Sequence, residues 1–423
     1  MGSLRTRPDA RRWLVVAALF VVTYGISTPL AAYGVFLPVL AEEFGWSRGA
    51  ISSALSLNLL LGGLAAFPIG AIADRRGPRL VLVLTVTAAG AAFALVSTVD
   101  ALWQLYLYVG ILGGVGMSSF YLLAASTVTR WFEGRRGMAL ALVLVGFNLG
   151  YISGGPLAAW LITKVEWRWA YALLGCGSGL VTMLAALTVR LPRASEAAAL
   201  RGEERSAGAT FAHPHDGAGP GIRSGATLGQ ALVDPRLWCL NVAWLLLGGV
   251  GLMLSVHIVP FARDQGISLA GASFALTAYG IGSVAGRLVT GAVSDRIGTR
   301  GTMCVGCAIQ TLGLVALLLA PSREGLLGSL VALGAGFATT DTMVAQVVPD
   351  VFGVRAIGAI MGVLGVGWRC GAALGPAAAG FLYDLTGAYM IPFGAAPLAI
   401  LVSWVLFLVA TSHRLGYAPG SPP

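Results

Sequence analysis

The chain is short of charge. Asp, Glu, Lys and Arg make up 11% of its 423 residues, against roughly 25% in a soluble domain. So few charges cannot cover a water-facing surface. Histidine is scarce, at four residues, and no group of His, Cys and carboxylates has metal-site spacing. There is no G-x-S-x-G elbow, and scattered histidines build no Ser–His–Asp triad. The phosphate-cradling GxxxxGK[ST] loop is missing, so ATP drive has no support. No cofactor and no enzyme activity are expected. Of five cysteines, Cys304 and Cys307 form a lone C-x-x-C inside an apolar run, which reads as packing rather than zinc or redox chemistry. The first apolar run is long and has no convincing small-residue cleavage site, so a removable signal peptide is not expected.

What is present is hydrocarbon. Apolar runs, each long enough to cross a bilayer at about 20 residues, recur near 13–40, 48–73, 79–98, 102–128, 136–163, 168–190, 237–262, 268–293, 300–320, 324–349, 355–384 and 388–411. They do not alternate with period two, which excludes barrel strands. The fold class expected is an all-α membrane protein of twelve helices. Residues 191–235 are polar and Gly/Ala-rich and contain His213 and His215. They read as a cytoplasmic linker between an N-terminal six-helix bundle, 1–190, and a C-terminal one, 236–423.

The net charge of +9 is a matter of topology. With both termini on one side, that side's loops hold twenty of the Lys and Arg residues and the other side's loops hold five, while Arg287 and Arg369 lie within helices. The positive-inside rule puts both termini in the cytoplasm. It removes the need for a nucleic-acid partner; the lipid bilayer is the partner, and a monomer is expected.

The two halves repeat. GAIADRRGPR from Gly70 and GAVSDRIGTR from Gly291 share Gly, Asp, Arg, Gly and Arg at the same offsets. A second echo joins RRGMALALVLVGFNLGYISGGP from Arg135 to RAIGAIMGVLGVGWRCGAALGP from Arg355. Parallel repeats of this kind place a substrate site between halves at the membrane midplane. The doubled G-x-x-x-D-R-x-G-x-R loop resembles the signature of the major facilitator superfamily. The resemblance implies that Asp74, Arg75, Asp295 and Arg296 are gate residues that latch cytoplasmic helix ends. The segments AYGVFLPVLAEEFGWSRGAISSAL from Ala32 and RWFEGRRGMALALVLVGFNLG from Arg130 resemble the monocarboxylate transporter family and its oxalate–formate antiporter relatives. That family carries an Arg in helix eight, matched by Arg287, and moves small carboxylates. Two positions depart from its pattern. Ser283 stands where eukaryotic members commonly have Asp, and residues 13–40 hold no Lys, so that family's route for proton coupling lacks its residues here.

Charge depth supports an anion site independently. Arg287 lies eight residues from Asp295, about 12 Å at helical rise, where half a hydrocarbon core is about 15 Å. Arg369 is near the middle of its own helix, and Asp341 is nine residues from Asp350. A central Arg costs about 2.5–3.5 kcal/mol to insert. Asp341 can neutralise one of the two guanidinium groups, and one positive charge remains; a carboxylate is its natural complement. Gly280, Ser283 and Gly291 share a stripe with Arg287, which allows either close helix packing or room for ligand. Asp341 is a switchable partner or proton site, or else a fixed structural one. His257 either faces substrate with a proton-linked role or bonds a backbone carbonyl. Tyr33, Tyr121, Asn148, Tyr279 and Trp368 are further candidates to line the cavity.

The expected function is secondary transport of a small carboxylate, a monocarboxylate first, with a coupled proton or exchanged anion, in the inner (plasma) membrane. The alternatives are a drug or aromatic-compound exporter on the same fold, a dicarboxylate exchanger, or a membrane sensor. Reporter fusions at residues 200 and 420 should both read cytoplasmic; a periplasmic signal at either would overturn the topology.

Overall fold

A computed structural model describes residues 8–132, 136–192, 196, 225–319, 322–353 and 356–412. Among them the fold is all-α, with one isolated bridge, Gly225 to Gly353. The helices are α1 Pro8–Phe44, α2 Arg48–Arg76, α3 Pro78–Leu95, an interrupted α4 over 102–131, α5 Arg136–Lys164, α6 Trp167–Thr188 and α7 Pro235–Asp264. The continuous run Leu269–Leu319 is two helices, α8 and α9, meeting at Gly298. Then come α10 Arg323–Phe352, α11 Ile357–Thr386 and α12 Met390–Ala410. Ten of these are long and apolar enough to cross a bilayer; the other two are α4 and α11. The chain divides into two compact units, Met1–Ile222 with Ser268–Thr277, and Arg223–Ile267 with Ala278–Pro423.

Helix ends follow local chemistry. Ser47 and Ser322 cap α2 and α10 by accepting from the N–H of Ala50 and Gly325, at 3.1 and 3.2 Å. Asp234 caps α7 ahead of Pro235. Burial alone would raise the Asp234 carboxyl; hydrogen bonds and charge from Arg236 outweigh it and hold the group below the usual carboxylate range. The repeated loop has one backbone solution in both halves. Gly77 has φ 86, ψ 150 and Gly298 has φ 72, ψ 170, a region open essentially to glycine alone. This is why the second Gly of the loop recurs.

Packing within each unit is set by glycine. In the first unit, Gly146, Gly150 and Gly154 of α5 meet the backbone carbonyls of Phe20, Tyr24 and Thr28 on α1. In the second unit, Gly367, Gly371 and Gly375 of α11 meet those of Asn241, Leu245 and Gly249 on α7. Any Cβ would collide, so the backbones approach as closely as helices can. Every member of one set lies 221 residues from its counterpart, the same offset as Gly77 to Gly298. The Gly-Pro echo seen in sequence is therefore one residue out of structural register. The packing register makes Phe147 equivalent to Trp368 and Asn148 equivalent to Arg369.

One expected helix is not continuous. Residues 102–128 read as a single span, but α4 consists of Leu102–Leu105, a π turn Tyr106–Leu112, Gly113–Met117 and Phe120–Trp131. The wide turn loosens the backbone ladder, and Asn58 of α2 donates to the carbonyl of Val109 at 2.7 Å. Ser118 and Ser119 interrupt the helix, and Ser119 Oγ is held 3.0 Å from Thr85 Oγ1 of α3.

At the end of the first unit where α1 begins, Arg11 and Arg190 both donate to Glu196 at 2.8 Å. Arg12 lies over the Phe132 ring at 5.0 Å. The second unit repeats the motif at the start of α7, where Arg236 lies 5.9 Å from the Phe352 ring. His213 and His215 of the expected linker lie outside the described residues. Gly298→Ala should destabilise the protein by about 1–3 kcal/mol, seen as a lower melting temperature in detergent; an unchanged melt would show that the turn tolerates a side chain.

Candidate functional site

The site is built on the seam between α8 and α10. Gly282 and Gly286 lie against Val331 and Ala335, and Gly334 lies against the carbonyl of Tyr279. Ser283 Oγ donates to the carbonyl of Gly334 at 3.2 Å, and Thr290 Oγ1 is 2.9 Å from Thr339 Oγ1. Sequence left two uses open for the small residues beside Arg287. At Ser283 the use is helix packing: the side chain is buried in the seam and lines no open space.

Arg287 and Asp341 sit on the same seam, Arg287 between the Gly286 and Thr290 contacts and Asp341 two residues past Thr339. Arg287 Nη2 donates to Asp341 Oδ2 at 2.8 Å, and the two side chains are 36% and 32% exposed. Guanidinium has five N–H donors, and this is the single hydrogen bond of Arg287 among the described residues. Its Nε is buried without a hydrogen-bond partner. A fork-to-fork Arg–carboxylate contact would use two parallel donors; this pair uses one. The pair ties α8 to α10 and leaves most of the guanidinium's donor capacity open.

Arg369 has no hydrogen bond or ion pair among the described residues. One face of its helix is pressed on α7 through Gly367, Gly371 and Gly375, whereas a Cβ added at Gly362 or Gly365 would meet open space. Arg369 lies seven and four residues after those two glycines, on their side of the helix. Its height follows from neighbours on α7. Phe337 of α10 lies against Gly251 and Trp368 of α11 lies against Gly248. Asp341 is four residues beyond Phe337, about 6 Å, and Gly248 is three residues before Gly251, about 4.5 Å in the same direction because α7 runs antiparallel to α10. Arg369, next to Trp368, is therefore at nearly the same level as the Arg287–Asp341 pair. Two cations and one carboxylate thus share one layer of the second unit. Phe337 was missed in sequence; its spacing of four from Asp341 is the signal that marks it.

The remaining candidates separate. His257 is 0% exposed. Its Nε2 is 2.8 Å from the carbonyl of Pro376 and its Nδ1 is 2.8 Å from the Tyr389 hydroxyl. A carbonyl only accepts, so in the neutral ring Nε2–H donates to Pro376 and Nδ1 accepts from Tyr389. Of the two readings for His257, the geometry is that of the backbone bond: it joins α7, α11 and the start of α12. Tyr33 is likewise closed in, 1% exposed, with its hydroxyl donating to the carbonyl of Ile51 at 2.6 Å. It ties α1 to α2 and does not line a cavity. Tyr279 packs beside Phe337, with ring centroids 6.0 Å apart. Tyr121 is half exposed on α4 just after its interruption, and Asn148 is partly exposed on α5. Neither makes a side-chain hydrogen bond among the described residues. Arg75 and Arg296 are exposed at the ends of α2 and α8; the side chains of their latch partners, Asp74 and Asp295, lie outside the described residues.

Comparison with known proteins agrees with this architecture. The sequence profile described as Major Facilitator Superfamily matches residues 13–271 and 251–422. The chain belongs to the major facilitator superfamily. Human monocarboxylate transporter 11 is 29% identical over 396 residues, 90% of this chain and 79% of that one. The oxalate:formate antiporter of Oxalobacter formigenes is 25% identical over 306 residues, 72% of this chain and 68% of its own. A solved bacterial homolog of the human lysosomal transporter Spinster, inward-facing and occupied, shares the fold with a TM-score of 0.71 at 17% identity, over 97% of this chain and 99% of that chain. As a superfamily member, the protein is a multi-span membrane transporter and not an enzyme. Tyr389→Phe in this transporter removes the hydroxyl that His257 accepts from. It should destabilise the fold by about 1–3 kcal/mol, measured by thermal unfolding in detergent; a loss near zero would show that the Tyr389 bond contributes nothing to stability and leave His257 held by Pro376 alone.

Proposed function

We propose that this major facilitator protein is a secondary transporter of small organic carboxylates, with Arg287 as the anion receptor and Arg369 as the second cation of the site. One observation carries the reading. Two guanidinium groups and a single carboxylate share one layer of the second unit, with Arg369 lacking any described anionic partner and Arg287 using one donor of five. An uncompensated cation inside a membrane is expensive. A carboxylate substrate supplies the charge and accepts two parallel N–H bonds. The likeness to monocarboxylate transporter 11 and to the oxalate:formate antiporter supports the same substrate class.

The transporter works by alternating access, in the inner membrane with both termini cytoplasmic. Asp74, Arg75, Asp295 and Arg296 form its gates. A coupled proton or an exchanged anion provides the drive.

The test is binding and uptake in purified variants. A panel of mono- and dicarboxylates should raise the melting temperature of the wild type by mass action. Arg287→Lys keeps the charge but loses the planar fork, and should bind at least about tenfold more weakly. Arg287→Ala should lose uptake, and Arg287→Ala combined with Asp341→Asn should not restore it. Restored uptake in the double variant would make Arg287 a structural strut for Asp341 and overturn the assignment.

A further inference from the structure

Asp341 is an odd resident for a site that attracts anions. It repels any incoming carboxylate, and it occupies a donor of Arg287 that the substrate would use. Hydrogen bonding alone gives it no great structural weight: it makes one bond, through Oδ2 at 2.8 Å, and none through Oδ1 among the described residues. The α8–α10 seam is already closed by Ser283, Thr290 and the glycine contacts. Its charge is what distinguishes it.

We infer that Asp341 sets the valence of the substrate: its carboxylate cancels one of the two guanidinium charges in this layer, so that one negative charge completes the site, and its removal converts a monoanion site into a dianion site. The inference rests on the carboxylate reading above and adds a residue that decides between mono- and dicarboxylates. With Arg287, Arg369 and Asp341 at one level, the layer carries one net positive charge. A monocarboxylate brings it to neutrality. A dicarboxylate leaves a surplus negative charge close to Asp341, where weak screening inside the protein makes like charges costly. Without the Asp341 charge the layer carries two positive charges, and the dicarboxylate becomes the neutralising ligand. The side chain is 32% exposed, so it is not sealed in the seam.

Lactate and malonate are matched probes: both are three-carbon acids, one with a single negative charge and one with two at neutral pH. Their affinities are read from thermal-shift titrations of the full-length protein at constant ionic strength. The wild type should bind lactate at least about tenfold more tightly than malonate, and Asp341→Asn should reverse the order by a similar factor. Asp341→Glu, which keeps the charge, should keep the wild-type order. An unchanged order in Asp341→Asn, or a wild type that prefers malonate, overturns the inference. If Asp341→Asn does not fold, Arg369→Gln decides. It leaves a neutral Arg287–Asp341 pair and should weaken lactate by about tenfold or more; undiminished lactate binding overturns the charge count. A wild type that responds to no carboxylate sinks the transport reading itself. A response whose valence order ignores Asp341 sinks only this inference.

Discussion

Helix backbones that touch are the constraint on which the rest of this structure depends. In each unit the first helix lays three carbonyls against three glycines of the fifth. No side chain can enter between them, so the rotation of both helices is fixed to within a residue. That rotation decides which way everything else points. On α11 it presses Gly367, Gly371 and Gly375 onto α7 and turns Arg369 toward the face where Gly362 and Gly365 meet open space. The same arrangement on α5 presents Asn148. The two units thus share a scaffold and differ in the charge they hang on it, Asn148 in one and Arg369 in the other.

The second unit handles its charges in two ways. Asp341 and Arg287 share one hydrogen bond across a seam of small residues, and both side chains are partly exposed. Arg369 has no hydrogen bond or ion pair among the described residues. His257 and Tyr33 have local partners: His257 a carbonyl and a hydroxyl, Tyr33 a carbonyl. Burial without such partners would cost about as much as a lost hydrogen bond.

Much of this was legible in sequence, for identifiable reasons. Apolar length marks spans because a bilayer has a fixed thickness. The doubled loop marks two halves because only glycine adopts the conformation of Gly77 and Gly298. Charge depth brought Arg287, Arg369 and Asp341 together because helical rise is constant. The failures are equally physical. Hydropathy records composition, so it read through the interruption at Ser118 and Ser119. Matching Gly-Pro pairs aligned α5 and α11 one residue off, because identity of letters is not identity of contact. Nothing local told Ser283 apart from a ligand-facing hydroxyl, or showed that His257 and Tyr33 were already satisfied. Those facts reside in the neighbouring helix.

The interruption of α4 makes the two units mechanically unlike. Its counterpart α10 runs unbroken from Arg323 to Phe352, whereas α4 passes through a π turn and then stops at two serines. Each departure removes rungs from the hydrogen-bond ladder that gives a helix its bending stiffness. The fourth helix of the first unit is consequently the compliant strut and its partner in the second the stiff one. Tyr121, a step beyond the break, rides on the element that bends, while Asp341 rides on the one that does not. A load applied to both units alike would displace Tyr121 more than Asp341.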